Sequence, residues 1–140
     1  MTKILVCRDD LHRDILTKYY EEQIQPSLTE TGHDVQLTTC TQALDRLESW
    51  PADILLMFVP RKQSPCWRTA RALRGIRARG SSSPLVLMII AWEADDSPDN
   101  PAYYTDPEYA ALYDDYCATF GNGAEIARWV QNFLRRRQSE

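Results

Sequence analysis

Residues 53–60 read "DILLMFVP", an unbroken apolar run from Ile54 to Val59 set between Asp53 and Pro60. A strand with one wet face alternates apolar and polar residues. A run without alternation fits a strand covered on both faces, the usual state of a central strand in a parallel sheet. The run holds no ionisable side chain, so the centre of the molecule is expected to be hydrocarbon.

Working outward, the chain alternates strand and helix patterns five times. "KILVC" (Lys3–Cys7) predicts a buried first strand with Asp9 and Asp10 at its end, where acids favour a helix start. Leu11, Ile15 and Tyr19 are expected on the inner face of that helix, with Leu16 as a further candidate, and Pro26 is expected to kink or end it. Val35–Thr39 predicts a second strand, and "TQALDRLESW" a helix with Ala43, Leu44 and Leu47 inward. After the loop Pro60–Pro65, Trp67, Ala70, Leu73 and Ile76 recur as a buried helical stripe flanked by Arg68, Arg71, Arg74 and Arg77. Leu85–Ala91 predicts a fourth strand, Pro107–Tyr113 a short helix and Tyr116–Thr119 a fifth strand. Ala124–Arg137 predicts a closing amphipathic helix with Ile126, Trp129, Val130, Phe133 and Leu134 inward. Alternation of this kind calls for an α/β fold with a parallel sheet, right-handed crossovers and helices on both faces.

The chain has 140 residues, which suits one domain able to bury a core without metal or disulfide staples. We read residues 1–140 as that single domain, with an acidic insertion at about 92–115. The longest apolar run, Leu85–Trp92, is too short to span a bilayer. The N-terminus lacks the pattern of a signal peptide, so no membrane association and a cytoplasmic location are expected. Cys7, Cys40, Cys66 and Cys117 form no CxxC pair and, with His12 and His33, no zinc spacing; they read as four reduced thiols.

Charge is unevenly distributed. From Ile54 to Trp92 there are seven basic residues and no acid, and from Gly80 to Ala127 nine acids and no Lys or Arg. A basic helix is thus followed by an acidic stretch, a pattern that can mark a binding surface.

The residues quoted carry a resemblance. "KILVCRDD", "GHDVQLTTCTQALDRLESWPADILLM", "LRGIRARGSSSPLVLMII" and "DDYCATF" resemble, over nearly the whole chain, the receiver domains of bacterial response regulators. The resemblance implies a flavodoxin-like doubly wound sheet of five parallel strands in the order 2-1-3-4-5. It also implies a set of chemical residues that this chain departs from. Arg8 and Asp9, with Asp10 beside them, align with the acid pair that holds Mg²⁺. The phosphoacceptor position falls on Leu56, or with a shift on Met57 or Phe58. The hydroxyl position falls on Ile90 or Ala91, and the lysine position on Thr119. Only Asp9, Asp10 and the aromatic switch position, Tyr116, match. A hard cation needs several oxygen ligands, and this set does not supply them. Arg8 has two readings, paired with an acid as a fixed cation or turned to solvent.

The chain therefore looks like a pseudo-receiver. It is expected to be a non-enzymatic docking module in a bacterial regulatory system, independent of phosphorylation, with no cofactor and no metal. Its partners are expected to be proteins, including a second copy of itself. Candidate partner-binding residues are Arg68, Arg71 and Arg74 on the basic helix, and Trp92, Asp95, Asp96, Tyr103, Tyr104 and Tyr109 in the acidic stretch; the alternative for the aromatics is that they fold back over the sheet edge.

Other classes fit less well. "ADILLMFVPRKQSPCWR" resembles the central strand and following helix of TIR-type domains, and a TIR-like adaptor is the alternative reading. The glutamate of NAD-cleaving members has no counterpart among Thr69, Ala70 and Arg71. No glycine-rich phosphate loop occurs. "CRDDLH" reads more simply as a buried Cys7 and a surface His12 than as a nucleophile set. Asp95, Asp96 and Asp99 lack the glycine and closing glutamate of a calcium loop. Nucleic acid is disfavoured by the net charge of −4 and the neighbouring acids.

Overall fold

The computed structural model describes residues 2–9, 13–60, 62–78, 84–90, 103–118 and 121–138. Five strands, β1 (Lys3–Arg8), β2 (Asp34–Thr39), β3 (Ile54–Val59), β4 (Leu85–Ile90) and β5 (Asp115–Cys117), form one sheet in the order β2-β1-β3-β4-β5. Every pairing is parallel. The class and strand order expected from the sequence are therefore observed.

The apolar run sits in the middle because both of its faces are covered. Leu5, Cys7, Leu55, Met57, Val59, Val86, Met88 and Ile90 point to one side of the sheet. There they meet Ala43 of α3 (Ala43–Ser49) and Cys66, Trp67, Ala70 and Leu73 of α4 (Pro65–Ala78). Ile4, Val6, Ile54, Leu56, Phe58, Leu87 and Ile89 point to the other. There they meet Ile126, Ala127, Val130 and Phe133 of α6 (Gly123–Gln138), and a long helical stretch after β1. All six residues of β3 are fully buried.

That helical stretch departs from the sequence reading. It starts as α1 (Arg13–Tyr19), passes through a π-helical turn at Tyr20–Ile24 and continues as α2 (Gln25–Glu30). Its buried face is Leu16, Tyr20, Ile24 and Leu28, whereas Ile15 is 69% exposed. Steps of four overshoot a 3.6-residue turn by about 40° each, so a regular α-helix would rotate these residues off the sheet. The wider π turn takes up the drift and keeps all four facing the core. It also lies beside Pro26, which enters at the first turn of α2 and does not end the helix. The helix closes at Gly32, where φ is +94°. The His33 N–H donates to the Leu28 carbonyl at 3.1 Å and the Gly32 N–H to that of Thr29 at 3.0 Å, a Schellman closure.

Two further expectations are corrected. Leu44, placed inward by periodicity, is 37% exposed beside the buried Ala43. Cys40 and Cys66, read as reduced thiols, are joined in a disulfide with Cα atoms 5.0 Å apart. Cys40 opens the 3-10 turn after β2 and Cys66 lies in the first turn of α4. Spacing along the chain carried no sign of this pairing, because the two turns meet only once β1 and β3 are side by side.

A Cβ on Gly32 would meet open space, but the backbone there is left-handed. Gly32→Ala is therefore expected to lower unfolding stability by about 1–2 kcal/mol through backbone strain alone. Urea unfolding of the two proteins measures it.

Candidate functional site

In an open parallel sheet, ligands bind beyond the carboxyl ends of the strands. Among the described residues that edge is made by Arg8 at the end of β1 with Asp9 after it, Phe58 to Pro60 at the end of β3, and Ile90 at the end of β4. Cys7 stands opposite Met57, Phe58 opposite Ile89, and Val59 opposite Ile90. Leu56 and Met57 lie inside the strand, on opposite faces, and neither reaches solvent. A carboxylate at either position would be surrounded by hydrocarbon, not presented at an opening.

The end of β3 is also roofed. The Tyr19 ring meets the Phe58 ring edge-on at 5.4 Å, and its hydroxyl donates to the Gly121 carbonyl at 2.6 Å. Burial pushes the Tyr19 hydroxyl far above its usual pKa, with the charges of Cys117 and Glu125 adding to it, so it stays a donor. The Gly123 N–H donates to Gln23 Oε1 at 2.9 Å, tying the start of α6 to the same helix. A Cβ on Gly123 would run into the Gln23 carbonyl and the Ser27 hydroxyl, so the close approach needs glycine.

Asp9 is 1% exposed and Arg8 half-buried. Neither side chain is without a partner, so Arg8 is not simply turned to solvent. Arg8 borders an open cleft of about 390 Å³ lined further by Arg13, Asp14, Thr17, Lys18 and Glu21. Among the described residues no three His, Cys, Asp or Glu side chains cluster in a way that could hold a metal ion. The donor set offered by Asp9, Arg8 and the apolar end of β3 does not fit a divalent cation. Asp10, Ala91 and Thr119 lie outside the described residues.

The candidate partner-binding residues separate into three groups. Arg68 and Arg71 are exposed along α4 and Arg74 is half-buried. Trp92, Asp95 and Asp96 lie outside the described residues. Tyr103, in contrast, is 1% exposed and belongs to the core. It accepts a hydrogen bond from Trp67 Nε1 at 3.3 Å and stacks edge-on with Trp67, Tyr104 and Tyr109. Tyr104 and Tyr109 are half-buried in the same cluster, which continues through Tyr113 to the partly exposed Tyr116. These rings pack on the β4–β5 side of the sheet beside the short helix α5 (Pro107–Ala110).

Acids at the end of the acidic stretch have structural partners that sequence reading missed. Asp114 Oδ2 accepts from the Val86 N–H at 2.8 Å, and Arg77 pairs with Asp114 at 3.2 Å while donating to the Pro84 carbonyl at 2.9 Å. Asp115 Oδ2 accepts from Trp129 Nε1 at 3.1 Å and from Arg136 at 2.8 Å. These contacts hold the short β5 onto β4, α4 and α6. The segregation of a basic segment holding Arg77 from an acidic one holding Asp114 was the trace they left in the sequence. At the start of α4, the Thr69 hydroxyl donates to the Cys40 carbonyl at 2.6 Å, so this turn offers a structural contact and no acid.

No protein-family model matches the chain, and no curated protein sequence matches it significantly. Solved structures do. A putative response regulator from Chloroflexus aurantiacus is similar with a TM-score of 0.65 at 20% identity, over 96% of this chain and 98% of that one. The chemotaxis response regulator CheY4 of Vibrio cholerae is similar with a TM-score of 0.64 at 16% identity, over 94% and 98%. The response regulator TrrA of Thermotoga maritima, solved in complex with Mg²⁺ and BeF, is similar with a TM-score of 0.62 at 16% identity, also over 94% and 98%. The chain has the receiver fold. At these identities the likeness is one of architecture: the receiver sheet is retained, and the side chains at its carboxyl edge are those described above.

Burial pushes the Tyr113 hydroxyl up to about 12, with Tyr116, Tyr104 and Asp115 adding to it, while it donates to the Tyr104 carbonyl at 2.9 Å. The folded state therefore favours neutral Tyr113, and that contribution is complete below the ordinary tyrosine pKa. Stability is expected to fall as pH rises from about 10 to about 12. Tyr113→Phe should flatten the fall, as read by denaturant midpoints across that range.

Proposed function

We propose that this chain is a receiver-like signalling module that works by protein–protein contact and accepts no phosphoryl group. One observation carries the reading: Leu56, Met57 and Phe58, the positions open to a phosphoacceptor, are all fully buried apolar side chains. Phe58 is closed over by Tyr19. Phosphoryl transfer to a receiver needs an exposed carboxylate and a cation to neutralise developing charge. The Thermotoga protein holds Mg²⁺ and BeF; among the described residues the corresponding edge here offers Arg8, the buried Asp9 and hydrocarbon. The chain then has no catalytic role of its own in a bacterial regulatory system.

The contact surface is the exposed side of α4. Arg68 and Arg71 project from it without an acid anywhere between Ile54 and Trp92. A single-sign stripe steers an acidic protein surface towards it and is screened by salt. Segment 93–99, with Glu93, Asp95, Asp96 and Asp99, has the complementary charge, so a second copy of the chain is one partner of the right chemistry.

Incubation with a small phosphodonor and Mg²⁺, followed by intact-mass measurement, should leave the chain unmodified. A stable aspartyl adduct would overturn the reading. Sedimentation should show mass above the monomer at low salt, lost at high salt and lost in Arg68→Glu/Arg71→Glu; a monomer at both salts removes self-association.

A further inference from the structure

We propose that Cys40 and Cys66 form a redox modification site that exchanges with low-molecular-weight disulfides and dithiols, and that its state sets the order of the first turn of α4. The proposal does not depend on the docking role of α4. The Cα separation of 5.0 Å lies within the range a disulfide spans, and the two cysteines are 26 residues apart in sequence. The bond therefore ties two separate connections at the carboxyl edge of the sheet, the turn after β2 and the start of α4.

The surroundings suit both redox states. With the bond closed, Cys66 Sγ already lies 3.7 Å from the Phe58 carbonyl, an acceptor in place for the S–H that reduction would create. The Thr69 hydroxyl to Cys40 carbonyl bond, at 2.6 Å, joins the same two segments whether or not the sulfurs are linked. The start of α4 has its own cap, since the Cys66 N–H donates to Ser64 Oγ at 3.2 Å. Reduction thus loosens this corner without removing every contact that holds it. The remaining cysteines take no part: Cys7 is buried in β1, where burial pushes its thiol far above the usual range, and Cys117 lies on β5.

The sulfurs are shielded, Cys40 at 1% and Cys66 at 0% exposure, but each is close to an exposed turn residue, Gln42 and Gln63. Exchange proceeds when one of these turns lifts. One cysteine, its proton given to solvent, attacks a sulfur of R–S–S–R, forming a mixed disulfide and expelling RS⁻. The second cysteine, likewise deprotonated, attacks the protein sulfur of that mixed disulfide, closing Cys40–Cys66 and expelling a second RS⁻. Two electrons pass from the pair to the reagent, which leaves as two thiols. A dithiol runs the sequence backwards.

The test uses the full chain. After oxidation with oxidised glutathione, alkylation and trypsin digestion without reductant, the peptide bearing Cys40 should be joined to the one bearing Cys66. Dithiothreitol under native conditions should open the bond, lower the Tm by roughly 10 °C and speed amide exchange in residues 64–70, with β3 and β4 unchanged. Cys66→Ser should show no response to dithiothreitol. If that variant does not fold, the wild-type comparison of the two states decides alone. Four alkylatable thiols after oxidation would overturn the proposal. So would a bond that native dithiothreitol leaves closed, or a reduction that changes neither Tm nor exchange.

Discussion

Everything in this molecule is arranged around the burial of β3. Six consecutive apolar side chains have no wet face, so each side of the strand requires its own layer of helices. At roughly 25 cal/mol per Å² of apolar surface removed from water, burying a leucine or phenylalanine side chain is worth about 1.5–3 kcal/mol. A strand of this kind is stable only in the middle of a sheet, which places β1 and β4 beside it. The helical stretch from Arg13 to Glu30 adapts its winding to the same demand, taking a π turn so that Leu16, Tyr20, Ile24 and Leu28 all reach the core.

The same constraint shapes the carboxyl edge, where an α/β sheet places its chemistry. The apolar run continues to the end of β3, and Tyr19 closes over Phe58. Among the described residues, the polar side chains of this edge are Arg8 and Asp9, to one side of β3. Among the described residues the end of β3 is part of the core, while α4 carries exposed arginines on its outer side. The Cys40–Cys66 bond lies between these two regions, fastening the first turn of α4 to the turn after β2.

The side of the sheet beyond β4 shows how a weak element is held. β5 has three residues, and Tyr116 on it is 37% exposed. Its hold comes from the carboxylates before and within it: Asp114 bonds Val86 and Arg77, while Asp115 bonds Trp129 and Arg136. Above it a cluster of rings runs from Trp67 through Tyr103 to Tyr116.

Strand positions and the absence of a carboxylate at the end of β3 were legible in the amino-acid sequence, because runs of apolar residues and their punctuation are local signals; the strand order came from the resemblance to receiver domains. The sequence was also enough to show that acids and bases are segregated along the chain. It misassigned what depends on small rotations or on distant neighbours. Ile15 and Leu44 had the right spacing, yet a shift in helix phase turned them outward. Tyr103 was open to two readings, surface aromatic or ring folded back over the sheet edge, and its packing against Trp67 decides for the second. Asp114 and Asp115 were legible only as members of an acidic stretch, and Cys40 and Cys66 as separate thiols. Only the tertiary structure brings Arg77, Trp129 and Arg136 to the first pair and joins the second, since contacts across tens of residues are made by the packing of the sheet and leave no periodicity in the chain.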